Sequence, residues 1–550
     1  MRYRLGLCVV LAVAPLAAQP AIDTGGVLNG ASYSPAGLPN SAIAQGSVFV
    51  VKGKNLGPSS IVSAVFPVQA TLAETSATVT VSGTTVSPLM IYTLASQVAM
   101  LMPSSTPTGS GTITITYNGQ TSAPAPVQVA ATNFGILTLN TGGSGPAVVT
   151  DANYGVISLT HAASPGQALV LSGTGLGKIS ADETQPPPQG NVGPKPTVWV
   201  GSQQASVAYW GRAGCCAGLD KINFQVPAGT TGCYVSLAVQ TGSSVSNFGS
   251  IAVASSGSVC SDPIGLSSAQ LALAQSGQNL NVATLALSRS TTSLNLPPPL
   301  PSTTTTTDSG SASFLRYTPD QLVRSGFGQA ASVGSCVVFA INGTATVADV
   351  VQPLGLDAGA SVLVGGPNGT KTLALQSSKG FYGGTLGIST SPPLYLDQST
   401  TTFNIPGGAD VGTFTQEVQM PPALNWANQS SISTVSESQG VTVNCTNAVP
   451  GGYVRVTGYS FSLDQNGGLA AGAIFYCTAN AGSNGTGQFS IPPPVLLSLP
   501  VSAASSSTIP SGFLGIASQR AADQFNLVRG VDVGFAQGSV QVMKNVTYAQ

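Results

Sequence analysis

The sequence predicts an all-β chain: two tandem β-sandwiches of similar size, then a larger β-sandwich, for which a jelly roll is one arrangement. Three observations predict it. Residues 44–57, "AQGSVFVVKGKNLG", and 164–177, "SPGQALVLSGTGLG", carry Gly46, Gly53 and Gly57 at the same gaps as Gly166, Gly173 and Gly177, and Leu56 matches Leu176. Repetition at fixed spacing is the mark of a repeated structural unit. Short alternating apolar runs bounded by Gly, Pro, Asn and Ser recur along the chain, and neither copy holds an amphipathic helical period.

In chain order, "SATVTVSGTTVSPLMIY" (76–92) reads as a hairpin turning at Ser82-Gly83, and "PTVWVGSQQASVAYW" (196–210) repeats it with Gly201-Ser202. "QVAMLMP" (97–103) matches "KINFQVP" (221–227), and further hairpins turn at Asn118-Gly119 and Thr241-Gly242. Each unit is roughly 100 residues, the size of an immunoglobulin-like domain. The expected boundaries are 24–131 and 132–260 for the two units, 261–311 for a β-rich segment with a Pro/Thr-rich linker or loop, and 312–550 for the C-terminal module. Within 261–311, "LSSAQLALAQSGQNLNVATLALSRSTTSLNL" (266–296) reads as alternating strands, with one short helix over "SSAQLALAQSG" as the alternative there, and "PPPLPSTTTTTDSGS" reads as low complexity. A capped helical turn is expected at Thr318 or Asp320.

The run "SGTGLGKIS" (172–180) imitates a phosphate loop and fails on spacing. Ser172 stands where the first glycine of a P-loop belongs, Ile179 follows Lys178 in place of Ser or Thr, and G-x-G-x-G is one residue short of the dinucleotide fingerprint. The second copy of the turn makes it a structural element.

The stretches Gly26–Gly57, Ser76–Pro103, Gly166–Gly177 and Lys221–Pro227 resemble secreted repeat proteins of Acidobacteria, whose repeats look like IPT/TIG domains of immunoglobulin-like fold. The resemblance covers about the first half of the chain. It implies fold and export and supplies no catalytic residue.

Composition narrows the function. The chain has 17 basic and 18 acidic residues, 6% charged, where roughly 25% is usual. With net charge −1 and no basic cluster, nucleic acid is excluded as a partner. An apolar share of 42% is enough for a buried core. The start, "MRYRLGLCVVLAVAPLAAQ", reads as a secretory signal peptide over 1–18, cut after Ala18. No later run is long and apolar enough for a membrane span. The expected location is therefore secreted or cell-surface, with the periplasm as an alternative. In such a compartment cysteines form disulfides. Cys445 with Cys477, in two strand-like runs, and Cys233 with Cys260 are the expected pairs; Cys215-Cys216 bridges to itself or to other loops.

Catalysis finds little material. His161 is the single histidine, which excludes the two-histidine zinc motif, and no C-x-x-C spacing exists, so neither metal nor other cofactor is expected. Glu74 alone cannot form a glycosidase pair, and Asp151, Asp182, Glu183 and Asp220 are scattered, with Asp182-Glu183 reading as a solvated loop. Asp349, Asp357, Asp410, Glu417, Glu437 and Asp464 concentrate the acids toward the C-terminus; "DQNGG" (464–468) imitates a calcium loop and reads better as a hairpin. Among aromatics, Trp199 is expected in the core, and Trp210 and Trp426 are the candidate ligand contacts. The expected role is a non-catalytic exported binding, adhesion or scaffold protein whose partner is an extracellular glycan or a surface protein, with self-association open to it. The alternative is a glycan-active enzyme with its chemistry in 330–550 and the repeats as spacers.

Overall fold

The computed structural model describes residues 19–296, 299–325, 331–341, 352–391, 394–463, 469–502, 510–526 and 528–550. The signal segment, Asp349 and "DQNGG" lie outside the described residues.

The first unit is a two-sheet sandwich. One sheet runs Ala21–Asn29, Val48–Lys54, Gln97–Leu101, Leu89–Leu94, Val62–Ser63; the other runs Ile43–Ala44, Ala125–Ala130, Gly109–Tyr117, Thr75–Val81, Thr71–Leu72. Ile43–Ala44 lies parallel to Ala125–Ala130, and the remaining neighbours are antiparallel. This is the immunoglobulin order, an ABED sheet facing a GFC sheet. Alternation explains it: Ala77, Val79 and Val81 point inward to meet Phe49, Val51, Ile113 and Ile115.

The second unit repeats the order: Gly135–Ile136, Ala168–Thr174, Asp220–Gln225, Gln203–Arg212, Thr197–Val200, Gly232–Thr241, Gly249–Val253, with Gly145–Pro146 parallel at the end. Here Gln203–Arg212 runs unbroken from one sheet into the other. The first unit splits the same stretch into Thr84–Val86 and Leu89–Leu94.

In the C-terminal module fourteen strands join in one sheet among the described residues. From the edge strand Ser335–Ile341 it passes through Leu469–Asn480, Tyr453–Leu463, Gly512–Gln519, Val533–Asn545, Leu280–Leu294, Thr303–Tyr317, Phe381–Ile388, Gly369–Leu375, Ser361–Gly366 and Thr400–Ile405 to Phe414–Gln419. The sheet turns back on itself around one core, bringing Phe414 to 5.5 Å from Phe525 between ring centres.

The segment 261–311 is not a linker unit. Its helix Ser268–Gln275 forms, with Ser267 and Gln270 capping each other's backbone. Strands Leu280–Leu294 and Thr303–Tyr317 pair without a slip at the centre of the large sheet, so a boundary at 311 would cut a strand. Threonine is β-branched and suits a strand, and cross-strand hydroxyls meet at Ser288–Ser309 (2.8 Å) and Thr291–Thr306 (3.0 Å). The short helix Pro319–Ser325 starts where expected, with Thr318 and Gln321 capping each other.

Cys477 bonds Cys336, its register neighbour on the adjacent strand, and not Cys445. Cys445 lies on Val441–Thr446, in a separate three-stranded sheet, and is buried and free. Two strand-like runs do not reveal which sheet each joins. Cys233 bonds Cys260, and Cys215 bonds Cys216.

The three units are packed against one another. Leu38 of the first unit and Val245 and Phe248 of the second enter the core of the C-terminal module. Ser332 Oγ donates to Asp262 (2.5 Å) and accepts from the Tyr234 N–H (2.8 Å).

Candidate functional site

The glycine-rich turn at 172–180 holds an anion, and that anion belongs to the chain. The N–H groups of Gly175 and Leu176 donate to Asp220 Oδ2 at 2.8 and 2.9 Å, and Arg212 donates to Asp220 Oδ1. Gly175 and Gly177 sit at φ +112° and +125°, which a side chain would resist. Arg212, 1% exposed, also donates to the carbonyls of Gly46 and Gly177, both at 2.8 Å. It thereby ties the turn of the first unit to the turn of the second. Burial pushes the Asp220 carboxyl up, and Arg212 and the two N–H groups oppose it. Glu183 is part of the same joint, accepting from Ser104 N (2.9 Å) and Oγ (2.6 Å), so it is no solvated loop residue.

A cleft of about 430 Å³ opens where all three units meet. The first unit supplies the bulged strand Ala21–Asn29 and the turn after it; Asn29 Oδ1 accepts from the N–H groups of Ala31 (2.9 Å) and Ser32 (3.1 Å) and sets Tyr33 at φ +51°. The second unit supplies 142–144 and 246–248, pinned together by Asn247 Nδ2 donating to the Gly143 carbonyl (2.9 Å). The C-terminal module supplies the edge strand Ser335–Ile341. Asn133 Nδ2 donates to the carbonyls of Asn40 (2.9 Å) and Ala42, fixing the loop that carries Asn40.

The walls are mixed in chemistry. Leu38, Phe248, Val338 and Phe339 are apolar, while Thr24, Ser34 and Ser144 offer hydroxyls that bond to nothing among the described residues. Lys52 Nζ lies 5.3 Å from the centre of the Tyr33 ring. Burial pushes the Tyr33 phenol up to about 12, with Tyr92 adding to it, so Tyr33 stays neutral at physiological pH. Asn40 is 6% exposed, and its Oδ1 has no hydrogen-bond partner among the described residues.

The residues singled out in the sequence lie elsewhere. Trp426 is 4% exposed, its indole N–H donating to Asn428 Oδ1 (3.0 Å), so it is a core residue and not a surface contact. Trp210 is half-buried and donates to the Gly193 carbonyl (3.3 Å), with Lys195 Nζ 5.6 Å from its ring. Trp199 is half-buried, packed against the C-terminal core. His161 is paired with Asp151 at 3.0 Å on the surface, and the hydrogen bond from His161 draws the Asp151 carboxyl down.

Asp357 and Asp410 meet in one loop cluster. Asp357 accepts from the N–H groups of Gly359 (2.9 Å) and Ala409 (3.3 Å); Asp410 accepts from the Asp357 N–H (2.8 Å) and from Lys379 Nζ (2.9 Å). These bonds hold both carboxyls below their ordinary range, the opposite of what a general acid needs. Glu437 is 1% exposed and pushed up to about 7 by burial. No group of three His, Cys, Asp or Glu arranged for a metal occurs among the described residues.

Sequence reasoning missed the cleft because its walls come from positions as far apart as Asp23 and Ser498. Of the three asparagines that wire it, Asn29 ends a strand and Asn133 and Asn247 sit in loops, and none belongs to a motif.

No family model matches the chain, and no curated protein sequence does. Among solved structures it is similar to domains 5–6 of the S-layer protein SbsC, at 16% identity and TM-score 0.17, covering 43% of this chain and 100% of that one. It is also similar to titin domains A168–A170, at 10% identity and TM-score 0.13, covering 67% and 89%. For the eight N-terminal Ig domains of Down Syndrome Cell Adhesion Molecule the values are 10% and 0.14, covering 91% and 47%. At these scores the likeness adds nothing to the strand order.

Proposed function

We propose that the chain is an exported, non-catalytic binding protein, its two N-terminal units IPT/TIG-like, whose cleft at the three-unit junction takes an extracellular ligand. The observation that carries this reading is the cleft itself: a concave site of mixed polarity, of ligand size, at an interface between domains. Three disulfides support an oxidising compartment. The committed state of Asp357 and Asp410 supports binding over hydrolysis. The test is to screen the immobilised full chain against a glycan array and extracellular polymers, with a parallel assay for released reducing ends. Saturable retention without release is expected; turnover of any bound glycan would make the protein an enzyme and overturn the reading.

A further inference from the structure

We propose that the Cys215–Cys216 bond is a thiol–disulfide exchange site for an external dithiol, and that opening it loosens the joint between the first two units. The inference goes beyond the binding-protein reading and does not depend on it.

Place in the fold sets this bridge apart from the others. Cys215 and Cys216 are both exposed, on the loop that joins strand Gln203–Arg212 to strand Asp220–Gln225. Cys233 and Cys260 are 2% and 0% exposed, and Cys336 and Cys477 are half-buried on paired strands. Exchange begins when a thiolate reaches a disulfide sulfur, so access decides which bridge opens first. A bridge between sequence neighbours also closes no length of chain, and in chain-entropy terms it adds almost nothing to stability. The other two bridges span 27 and 141 residues. An exposed bond that holds no chain loop shut suits exchange better than stapling.

The loop leads directly to the joint. Its ends are Arg212 and Asp220, register partners whose buried ion pair also holds the Gly46 and Gly177 carbonyls. Gly218, just past Cys216, is buried against the first unit. A Cβ there would come within 2.5 Å of Leu101 and 2.8 Å of Val48. The Gly218 carbonyl accepts from Thr174 Oγ1 (2.7 Å), which in turn accepts from the Val48 N–H (2.8 Å). The turn that presents Gly218 is closed by the Leu219 N–H on the Cys216 carbonyl (3.3 Å) and the Ala213 N–H on the Leu219 carbonyl (2.9 Å). While the bond is closed, the joined side chains restrict the backbone of Cys215 and Cys216. Opening it returns that freedom to the turn, against the contacts that Gly218 makes.

The step balances with a dithiol. One thiolate attacks one of the two sulfurs, forms a mixed disulfide and releases the neighbouring cysteine as a thiolate, which takes a proton from water. The second thiol of the reductant, deprotonated by water, attacks its own sulfur in the mixed disulfide and frees the other cysteine. The pair gains the two electrons and two protons that the dithiol gives up, and the dithiol leaves as a disulfide.

The experiment treats the full chain with rising dithiothreitol, quenches it with an alkylating agent and maps the labels by mass spectrometry. Cys215 and Cys216 should take label at least about tenfold faster than Cys233, Cys260, Cys336 and Cys477. At the dose that opens this bridge alone, hydrogen exchange should speed up about three- to tenfold in peptides 44–50 and 172–178 and stay unchanged in 453–463 and 512–519. The variant Cys215→Ser/Cys216→Ser changes exposed side chains and should fold, as its melting curve checks; it should lack the fast label and exchange like the reduced wild type. Free thiols at both positions before treatment, or labelling no faster than at the other bridges, would overturn the exchange site. Fast labelling with unchanged exchange at 44–50 and 172–178, in the reduced chain and in the variant, would overturn the coupling to the joint.

Discussion

Replacing Arg212 with Met should cost the chain more stability than any other single charge removal. Arg212 and Asp220 are 1% and 0% exposed, so the substitution leaves a carboxylate buried without its cation. Removing one partner of a buried pair costs about 3–5 kcal/mol. The carbonyls of Gly46 and Gly177 also lose their donor, which supports the upper part of that range. At about 2–4 °C per kcal/mol for a body of 150–250 residues, a loss of about 4 kcal/mol lowers the melting transition of the first two units by about 8–16 °C. Differential scanning calorimetry reads this directly. The pH dependence adds a sign. Without Arg212, the folded Asp220 carboxyl moves further above its unfolded value, so the folded state binds the extra proton. Stability of the variant relative to the wild type therefore falls as pH rises through the wild-type folded value, which burial already holds above the usual carboxylate range, and the deficit is smallest in acid. The double variant Arg212→Met/Asp220→Asn should recover part of the loss. A single variant within about 1 kcal/mol of the wild type would show that the pair does not staple the two units.

Three further outcomes follow from the geometry. Non-reducing peptide mapping should recover Cys336–Cys477, Cys233–Cys260 and Cys215–Cys216, with Cys445 alkylated only after unfolding; a Cys445–Cys477 peptide would refute the sheet order. Reducing the Cys336–Cys477 bridge, which spans 141 residues, should destabilise the C-terminal module by up to about 5 kcal/mol in chain-entropy terms, read as a lower urea midpoint. Glu437, raised by burial to about 7, contributes a loss of stability as pH climbs from its unfolded value through about 7, levelling off above. Glu437→Gln should flatten that slope, and an unchanged slope would place the proton elsewhere.

Much of the fold was legible in the sequence, and the reasons are local. Of the matched glycines, Gly46 and Gly166 turn at positive φ, while Gly53 and Gly173 lie inside strands where a side chain would meet the neighbouring strand at Ala21 and at Phe134 and Gly135, and both demands are written in neighbouring residues. Alternation at 75–81 and 168–174 fixes which face is buried. The short helix Pro319–Ser325 announced itself through its cap at Thr318. What stayed hidden depends on distant partners. Asp220 looked like one scattered acid, although it satisfies the turn that resembled a phosphate loop. The Thr-rich run before Tyr317 looked like a tether because the strand on its far side, Phe381–Ile388, is distant in sequence, and its hairpin partner Leu280–Leu294 is itself held by Val533–Asn545, more than 200 residues away by number. Trp426 looked available for a ligand because nothing nearby in sequence shows the sheet that covers it. The cleft was invisible for the same reason: no one unit contains it.

Hydrogen exchange on the full chain, with and without the best-retained ligand from the glycan and polymer screen, tests the shared cleft most directly. Protection should rise together in peptides covering 21–40, 142–144, 246–248 and 335–341, which belong to all three units. Protection confined to a single unit, or centred on the loops around Asp357 and Asp410, would contradict a binding site assembled at their junction.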